Sequence, residues 1–350
     1  MQRFHIDVIK GSATYYELGK LQAEKFIQTP LYKTHSIRRA RSEKQYTADL
    51  EQAKYFYEKF SPGLWQELEG VASAVDWSKE AVLHEYSGYQ QDWIKSGCSS
   101  LMKDGFYARN YDYHPKTYEG RLILWRPEGG YASIGTSGRM IGRIDGMNEK
   151  GLVVGYHFVN RRNPAAGFIC ATVARFLLDS CANTEEAVAM LKQLPHRHAF
   201  NYSLYDAAGE AVVVEASGRG TAVRRAGIMA CTNHFQTAGQ LAENRYHLVE
   251  SKERLQKLEQ RQNTKMTPLE AYYYFNDPSH GIFKKNYGSW AGTIHTAVYV
   301  PKNLTMIFGA GENAQPVSID FKEWLNSGNF PITKIFGKID SHERFHHTNQ

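Results

Sequence analysis

The order of predicted helices and strands constrains the fold of this chain more than any other feature of its sequence. After a short predicted strand at residues 4–9, hydrophobic residues recur mainly at helical spacing as far as residue 97. From Cys98 onward the pattern changes to short strands separated by polar or glycine-bearing turns. We therefore divide the 350 residues into a helical segment, 1–97, and a strand-rich unit, 98–350.

Strands and helices alternate in blocks within the strand-rich unit. The first predicted block contains strands at 99–102, 106–110, 121–125, 131–135 and 151–158. Helices at 169–182 and 184–194 precede a second block of strands at 201–205, 211–216, 221–225 and 228–232. Helices at 243–260 and 267–276 and strands at 293–300 and 304–308 complete the unit. Blocks in this order indicate an α+β protein in which helices cover two packed sheets, with a frayed polar tail from Ser341.

Charge and cysteine content exclude several classes of protein. The 42 Lys and Arg residues are interspersed with 36 Asp and Glu residues, so we predict neither a nucleic-acid partner nor a membrane-binding face. No stretch approaches the roughly 20 apolar residues of a membrane span, and the sequence does not open with a signal peptide. The four cysteines are sparse and form no CxxC pair. These features predict a reduced, cytoplasmic protein.

Cys98 is a candidate for chemistry because Arg109 and Asp112 follow it on the predicted partner strand of a hairpin. A guanidinium beside the thiol favours the thiolate, which is the nucleophilic form. A carboxylate at Asp112 could hold an α-amino group or orient a substrate. The same residues also fit a structural cysteine next to a surface Arg–Asp pair. Their position alone does not separate the two interpretations.

Two further motifs lie downstream of the hairpin. Residues 145–152 form a turn-rich link into an apolar strand that ends in Tyr156-His157-Phe158. Asn233 comes directly after a predicted strand, where its side-chain amide could donate a hydrogen bond to a developing oxyanion. An asparagine in an ordinary Asx-turn has the same sequence context, so this motif alone decides nothing.

Taken in order along the chain, these motifs point to a known family. The quoted runs are Gly97-Cys98-Ser99-Ser100, Arg109-Asn110-Tyr111-Asp112, residues 145–152 and Thr232-Asn233-His234-Phe235. They resemble motifs of the cysteine N-terminal-nucleophile hydrolases, a group that includes choloylglycine hydrolases and penicillin V acylases. The chain is most similar to the isopenicillin-N acyltransferase-like proteins, whose glycine-bearing opening resembles residues 10–19. The resemblance covers nearly the whole chain.

The resemblance implies a fold and a reaction. The fold is a four-layer αββα sandwich of two antiparallel sheets flanked by helices. Autocatalytic cleavage between Gly97 and Cys98 separates a pro-segment or small subunit, 1–97, from a catalytic unit, 98–350. The reaction is hydrolysis of a linear amide, or acyl transfer to an amine, through an acyl-thioester on Cys98. The implied partner is a small-molecule acyl amide or acyl donor. No metal or organic cofactor is implied, and a homo-oligomer is left open.

The resemblance also implies a catalytic group of four side chains. Cys98 is the nucleophile, and its own α-amine, freed by cleavage, is the general base, because an α-amino pKa of about 8 suits proton transfer at neutral pH. Asp112 holds that amine, and Arg109 lies beside the thiol. The side chain of Asn233 donates to the oxyanion.

Four other residues are candidates for binding substrate: Tyr113, Tyr156, His157 and Lys284. The two tyrosines are close in sequence to the catalytic group and could line an apolar acyl pocket. His157 stands where choloylglycine-type members carry an asparagine. Lys284 keeps a positive charge where those members carry a late arginine, but an ammonium cannot make the bidentate contact of a guanidinium. Arg254 is an alternative substitute for that arginine.

Three other interpretations stay open at this point. A protein with this fold could bind an acylated ligand without ever being cleaved. His196, His198 and His234 could bind the metal ion of a metal-dependent hydrolase, although no second close-spaced pair of ligands accompanies them. A papain-like enzyme would pair Cys98 with a distant histidine such as His157, but a strand and not a helix follows the cysteine.

Overall fold

The computed structural model describes residues 1–93, 96–245, 248–289 and 291–348. Strands β1 to β16 and helices α1 to α10 are numbered in chain order within these residues. They form two packed sheets with helices on both outer sides. No helix in the described part of the chain is long and apolar enough to cross a membrane.

The larger sheet runs from a partly exposed strand, β10, at one edge to the C-terminal strand at the other. Its strands in spatial order are β10 (Gly220–Ala226), β9 (Ala211–Ser217), β8 (Ala199–Tyr205), β7 (Val153–Asn160), β6 (Gly142–Asn148), β5 (Ser133–Gly138), β4 (Arg121–Pro127), β1 (Gln2–Ala13) and β16 (Lys334–Ile339). Neighbouring strands are antiparallel except β1 and β4, which are parallel.

The smaller sheet is antiparallel, and its first strand in chain order, β2, carries the candidate nucleophile Cys98. Its strands in spatial order are β11 (Met229–Cys231), β2 (Gly97–Lys103), β3 (Phe106–Tyr113), β13 (Ala291–Val300), β14 (Thr305–Ala310) and β15 (Val317–Asp320), and the short β12 (Lys285–Asn286) pairs with β13.

The helices fall into two groups along the chain. The first five are α1 (Tyr15–Phe26), α2 (Leu31–Ser42), α3 (Leu50–Phe60), α4 (Pro62–Ala74) and α5 (Lys79–Tyr86). The others are α6 (Cys170–Ser180), α7 (Thr184–Gln193), α8 (Val249–Gln260), α9 (Pro268–Asn276) and α10 (Phe321–Ser327).

The packing of the helices on the two sheets defines the layers of the molecule. Helices α6 and α7 cover the larger sheet, and α8 and α9 cover the smaller one. Polar contacts join the inner faces: the Tyr107 hydroxyl lies 2.7 Å from Ser203 Oγ, and Arg109 Nη1 donates to the Ile144 carbonyl at 3.0 Å. The predicted αββα sandwich is therefore confirmed, with the correction that the parallel β1–β4 pair makes the larger sheet not wholly antiparallel.

A tight turn sets the register of the hairpin that carries Cys98. Asp104 and Gly105 both have positive φ, at 48° and 82°. An Asp-Gly pair tolerates these angles in the two-residue turn that joins twisted strands. The turn pairs Cys98 with Tyr111 and Ser100 with Arg109. Because directly paired residues project to one face of a sheet, Cys98 and Arg109 share the inner face.

The segment 1–97 contains more than helices. Its strand β1 spans twelve residues, twice the predicted length, and lies inside the larger sheet between β4 and β16. Its helices pack on the strand-rich unit as well, where the buried Arg175 Nη2 donates to Glu67 at 3.0 Å. The segment is therefore built into the sandwich and does not form a separate layer.

Two predictions about the strand-rich unit need correction. The turn-rich link predicted at 145–152 is a turn only in its second half, because β6 extends to Asn148 and the turn follows it. Gly151 closes that turn with a φ of 83°, whereas Gly146 serves close packing, since a Cβ there would lie 2.7 Å from the Ile134 carbonyl oxygen. The described part of the tail, residues 341–348, is not frayed, because Phe345 stacks on Phe4 with ring centroids 4.1 Å apart. His347 Nε2 also lies 2.7 Å from the His5 carbonyl oxygen.

The predicted helix at 243–260 is shorter than expected. Helix α8 begins at Val249, and residues 238–243 form a 3-10 turn. Residues 246–247 of the predicted helix lie outside the described residues.

Candidate active site

Cys98 lies fully buried at the start of β2, and side chains from β3, from the segment after β11 and from α8 hold its polar atoms. Arg109 Nη2 donates to the thiol Sγ at 3.2 Å. The Cys98 amide N–H donates to Asn233 Oδ1 at 2.9 Å, and Arg254 Nη1 donates to the Cys98 carbonyl at 2.8 Å. The structure thus brings the predicted residues Cys98, Arg109 and Asn233 together.

A buried ionic network fixes the guanidinium beside the thiol. Arg109 Nε lies 3.3 Å from Asp145 Oδ2, and Arg109 Nη2 also donates to the Tyr156 carbonyl at 3.2 Å. His295 Nε2 lies 3.0 Å from Asp145 Oδ2, and the Tyr299 hydroxyl donates to Oδ1 at 2.7 Å. Asp145 therefore positions Arg109. The sequence showed Asp145 only as the first residue of a turn-rich motif.

Burial sets the protonation state of the thiol in the intact chain. Removal from water raises the pKa of Cys98 to about 11, because a thiolate is poorly solvated there. The positive charge of Arg109 opposes this shift but does not cancel it. A pKa of about 11 favours the protonated thiol at neutral pH.

Asp112 lies next to the peptide bond that precedes Cys98. Its Oδ1 accepts a hydrogen bond from Thr293 Oγ1 at 2.6 Å. Its Oδ2 is buried without a hydrogen-bond partner among the described residues, and it lies 3.8 Å from Arg254 Nη1. A Cβ at Gly97 would come within 2.8 Å of that oxygen, so only glycine fits at this position without a shift.

In the intact chain, hydrogen bonds to both atoms of its amide group hold the side chain of Asn233 in place. Its Oδ1 accepts from Arg254 Nη2 at 2.9 Å in addition to the Cys98 amide. Its Nδ2 donates to the Phe158 carbonyl at 2.9 Å and lies 3.5 Å from the Ser96 carbonyl. The donor that the oxyanion role requires thus points at backbone carbonyls near Cys98, one of them on the N-terminal side of the candidate cleavage site.

Arg254 contributes more to this site than the sequence indicated. It lies on α8, whose buried face contains Ser251, Arg254, Leu255 and Leu258 at helical spacing. That face packs on β2 and β11, which brings the guanidinium to the Cys98 carbonyl. The amphipathic spacing was a usable signal, but the sequence alone named Arg254 only as a substitute for a missing arginine.

The four candidate substrate-binding residues separate into two places. Tyr113 and Tyr156 belong to an aromatic cluster around Trp93, with ring centroids 6.1 and 5.7 Å from the Trp93 ring. His157 Nε2 instead bridges the hydroxyls of Ser100 and Ser203, at 3.1 and 2.9 Å, between the two sheets. Its burial, with Arg109 nearby, holds the pKa of His157 well below 6.5.

Lys284 contacts the edge of the site and not its centre. Its Nζ pairs with Glu250, one helical turn before Arg254 on α8. Its backbone N–H donates at 2.9 Å to Thr293 Oγ1, the hydroxyl that also binds Asp112. A direct role for Lys284 in binding substrate stays a prediction.

The histidines of the metal interpretation are dispersed. His196 Nε2 lies 2.8 Å from the Leu191 carbonyl, and His234 Nδ1 lies 2.8 Å from Ser251 Oγ. Across residues 1–93, 96–245, 248–289 and 291–348, no three His, Cys, Asp or Glu side chains form a group that could hold a metal ion. The thiol of Cys98 is hydrogen-bonded to an arginine and not to a histidine, which disfavours a papain-like pair.

Two packed sheets between helices, with a buried cysteine at the start of an inner strand, define the class of N-terminal-nucleophile hydrolase folds. The model of one family, acyl-coenzyme A:6-aminopenicillanic acid acyl-transferase, matches residues 100–315, which is more than half of the chain. The chain belongs to this family.

Several solved structures are similar to this chain at low identity. Penicillin V acylase from Agrobacterium tumefaciens is 20% identical, with 67% of this chain and 81% of that chain covered and a TM-score of 0.43. A mutant conjugated bile acid hydrolase from Clostridium perfringens is 14% identical over 71% and 99%, with a TM-score of 0.49. The Caenorhabditis elegans N-acylethanolamine-hydrolyzing acid amidase ortholog is 14% identical over 59% and 93%, with a TM-score of 0.41. No curated protein matched the sequence.

Proposed function

We propose that this chain cleaves its own Gly97–Cys98 bond and then uses Cys98 to hydrolyse a linear amide or to transfer its acyl group to an amine. One observation carries the proposal: the thiol, the amide nitrogen and the carbonyl of Cys98 are each bound by a different side chain, Arg109, Asn233 and Arg254. A cysteine that serves only to fill the core needs none of these contacts.

The cleavage step would proceed by a transfer of the acyl group from nitrogen to sulfur. The thiol of Cys98 attacks the carbonyl carbon of Gly97, and a C–S bond forms as the C–N bond breaks. The electron pair of the broken bond stays on nitrogen, which takes a proton and becomes the α-amine of Cys98. Water then hydrolyses the thioester to the carboxylate of Gly97 and the thiol.

The groups around Cys98 suit the α-amine that this step would create. Asn233 Oδ1 already accepts from that nitrogen, and Asp112 Oδ2, which lacks a hydrogen-bond partner among the described residues, is adjacent. An α-amine with a pKa of about 8 is partly unprotonated near that pH and can act as the general base for the neighbouring thiol. In turnover the acyl group of the substrate would pass to Cys98, and water or an amine would then accept it.

The N-terminus of the mature protein tests the proposal. Purified wild-type protein is expected to resolve into two polypeptides, the larger of which begins with a free α-amine on Cys98. Scaling the 39.9 kDa mass by length gives fragments of about 11 and 29 kDa. Intact-mass spectrometry and N-terminal sequencing measure both properties. A chain that stays whole after long incubation would contradict cleavage and favour a binding protein that is never processed.

Replacing Asn233 by alanine is expected to slow both self-cleavage and amide turnover by about 100- to 1,000-fold, because one oxyanion donor is worth that much in other hydrolases. The rates are measured as loss of full-length chain and as kcat on an amide substrate.

The matched control for this variant is Asn110→Ala. Asn110 is equally buried and hydrogen-bonded, but it contacts Phe275 and Thr296 and not Cys98. Equal losses in both variants would show that Asn233 acts only on stability.

A further inference from the structure

A cavity of about 420 Å³ lies where the helical segment 1–97 meets the strand-rich unit. Four arginines and two acidic residues line it, so its wall carries more positive than negative charge. Helix α2 supplies two of the arginines, and the turns that follow β5 and β7 supply the others. We call this the arginine cavity, and its charged residues are Arg38, Arg41, Arg139, Arg161, Glu85 and Asp92.

One buried carboxylate serves two of the arginines. Glu85 is 3% exposed, and its Oε1 accepts a hydrogen bond from Arg38 Nε at 2.6 Å and lies 3.9 Å from Arg139 Nη1. Burial and the neighbouring charge of Arg38 lower the pKa of Arg139, and Glu85 offsets only part of this shift. The two guanidiniums therefore repel each other beside a single carboxylate, and a further negative charge nearby would be favourable.

The second acidic residue does not supply that charge. The side chain of Asp92 is 70% exposed, and its carboxylate lies 3.8 Å from Arg197, which is not an arginine of the cavity. In the part of the chain that the structure describes, Arg41 forms no ion pair, and Arg161 makes one long hydrogen bond, from Nη1 to the Trp93 carbonyl at 3.4 Å. Four arginines against two carboxylates leave an excess of two positive charges.

The turn that presents Arg139 is held in a conformation that few residue types favour. Arg139 and Met140 have φ of 56° and 65° between β5 and β6, where Asn and Gly are more usual. The buried Glu119 fixes this turn, because its Oε1 accepts from the Met140 N–H at 3.1 Å. Backbone held in this way is common at ligand sites, and here it brings a guanidinium to the wall of the cavity.

One further group in the wall lacks a hydrogen-bond partner. Gln91 lines the cavity and is 2% exposed, and its Nε2 donates to the His84 carbonyl at 2.7 Å. Its Oε1 has no hydrogen-bond partner among the described residues, which is unfavourable for a buried acceptor. A ligand with both negative oxygens and a hydroxyl would match the arginines and this amide oxygen together.

Hydrogenphosphate has these properties. Guanidinium groups bind phosphate oxygens through paired, charge-assisted hydrogen bonds. Near neutral pH the ion carries close to two negative charges, which matches the excess charge of the cavity, and it keeps a hydroxyl that can donate to Gln91. A carboxylate has one charge and no hydroxyl, so it matches neither feature.

We propose that the arginine cavity binds a phosphate group and that the bound phosphate joins helix α2 to the strand-rich unit. Helix α2 is loosely held without it, because only Leu31 and His35 of its twelve residues are buried. The anion would contact side chains from both sides of Gly97. The site needs no cleavage, so this inference does not depend on the proposed function.

Calorimetric titration of inorganic phosphate into Cys98→Ala protein tests the site. In about 0.15 M NaCl, which screens distant surface charges, we expect saturable binding of one phosphate per chain. The variant Arg41→Gln/Arg161→Gln in this background should bind at least about tenfold more weakly, because it loses hydrogen bonds between charged groups. Both arginines are exposed, so the fold should tolerate the change.

The matched control is Lys33→Gln/Lys44→Gln in the same background. These two exposed lysines lie on α2 and just after it, but they do not line the cavity. Equal weakening by the two pairs would assign binding to the overall charge and overturn the proposal. Absence of saturable binding to the parent protein would also overturn it and would leave the proposed cleavage untouched.

Hydrogen exchange measures the joining of α2. Phosphate should slow exchange of the α2 amides in the parent protein and in the lysine control, but not in Arg41→Gln/Arg161→Gln. Glycerol 3-phosphate is added in parallel, because weaker protection than with phosphate identifies the free ion and stronger protection identifies a phosphate ester. Phosphate binding that leaves α2 exchange unchanged in the parent protein would overturn the joining role.

Discussion

The Cys98→Ala variant is expected to remain a single full-length chain and to lose amide turnover by about a millionfold, the order found when a hydrolase nucleophile is removed. Alanine lacks the sulfur that must bond to the acyl carbon in both steps, so neither the thioester nor the new α-amine can form. Intact mass after prolonged incubation and kcat on an amide substrate measure the two effects.

The control for this variant is Cys181→Ala. Cys181 is also buried, and it ends α6, where its thiol lies 4.0 Å from Met190 Sδ. Its replacement should leave self-cleavage at the wild-type extent. If Cys98→Ala is cut as readily as Cys181→Ala, another nucleophile or a contaminating protease is responsible.

Replacing Asp145 by alanine is expected to lower the free energy of unfolding by about 3–5 kcal/mol, the cost of breaking a buried ion pair by removing one partner. The carboxylate is fully buried and accepts contacts from Arg109, His295, Tyr299 and Thr136. Its loss leaves the Arg109 guanidinium without a counter-charge between the sheets. Urea unfolding of the uncleaved Cys98→Ala background measures the effect without interference from processing.

A surface pair supplies the control. Glu43 makes a partly exposed i,i+4 pair with Arg39, and Glu43→Ala is expected to cost about 1 kcal/mol or less. Similar costs for Asp145→Ala and Glu43→Ala would contradict a special role of the buried network.

The same network predicts a pH dependence. Burial alone would raise the pKa of Asp145, but His295 and Arg109 outweigh it and hold the pKa at about 2, below the ordinary value of 3.8. A depressed carboxyl pKa contributes stability that is complete above about pH 4 and is lost as the pH falls toward 2. Unfolding curves across this range should show the loss in the Cys98→Ala background and a smaller loss once Asp145→Ala is added.

Local rules were sufficient to predict the hairpin of the candidate site. The change of pattern at Cys98 and the alternation of residues along the two strands predict that one or both of Arg109 and Asp112 face the thiol, and the structure places the Arg109 guanidinium there. The position of Asn233 directly after a strand was also readable. Its contact with the Cys98 amide was not, because that contact joins residues 135 positions apart.

The sequence did not reveal the supporting roles of Asp145 and Arg254, for the same reason. Asp145 meets His295 across 150 positions, and Arg254 meets the Cys98 carbonyl across 156. Periodicity reports which residues are buried, but not which buried residues of different elements meet. Two glycines near Asp145 look alike in sequence but differ in role, because Gly151 has a positive φ at a turn and Gly146 allows close packing within a strand.

The position of β1 implies that the chain has to fold before the proposed cut and would not refold readily after it. β1 is hydrogen-bonded to β4 on one side and to β16 on the other, and both partners come from beyond Gly97. A cut there would leave the strand in place but would turn a pairing within one molecule into an association between two. Such an association depends on concentration, whereas pairing within one chain does not. The two polypeptides of a cleaved molecule that unfolds in dilute solution would thus separate. The protein would therefore fold efficiently only while its chain is still whole.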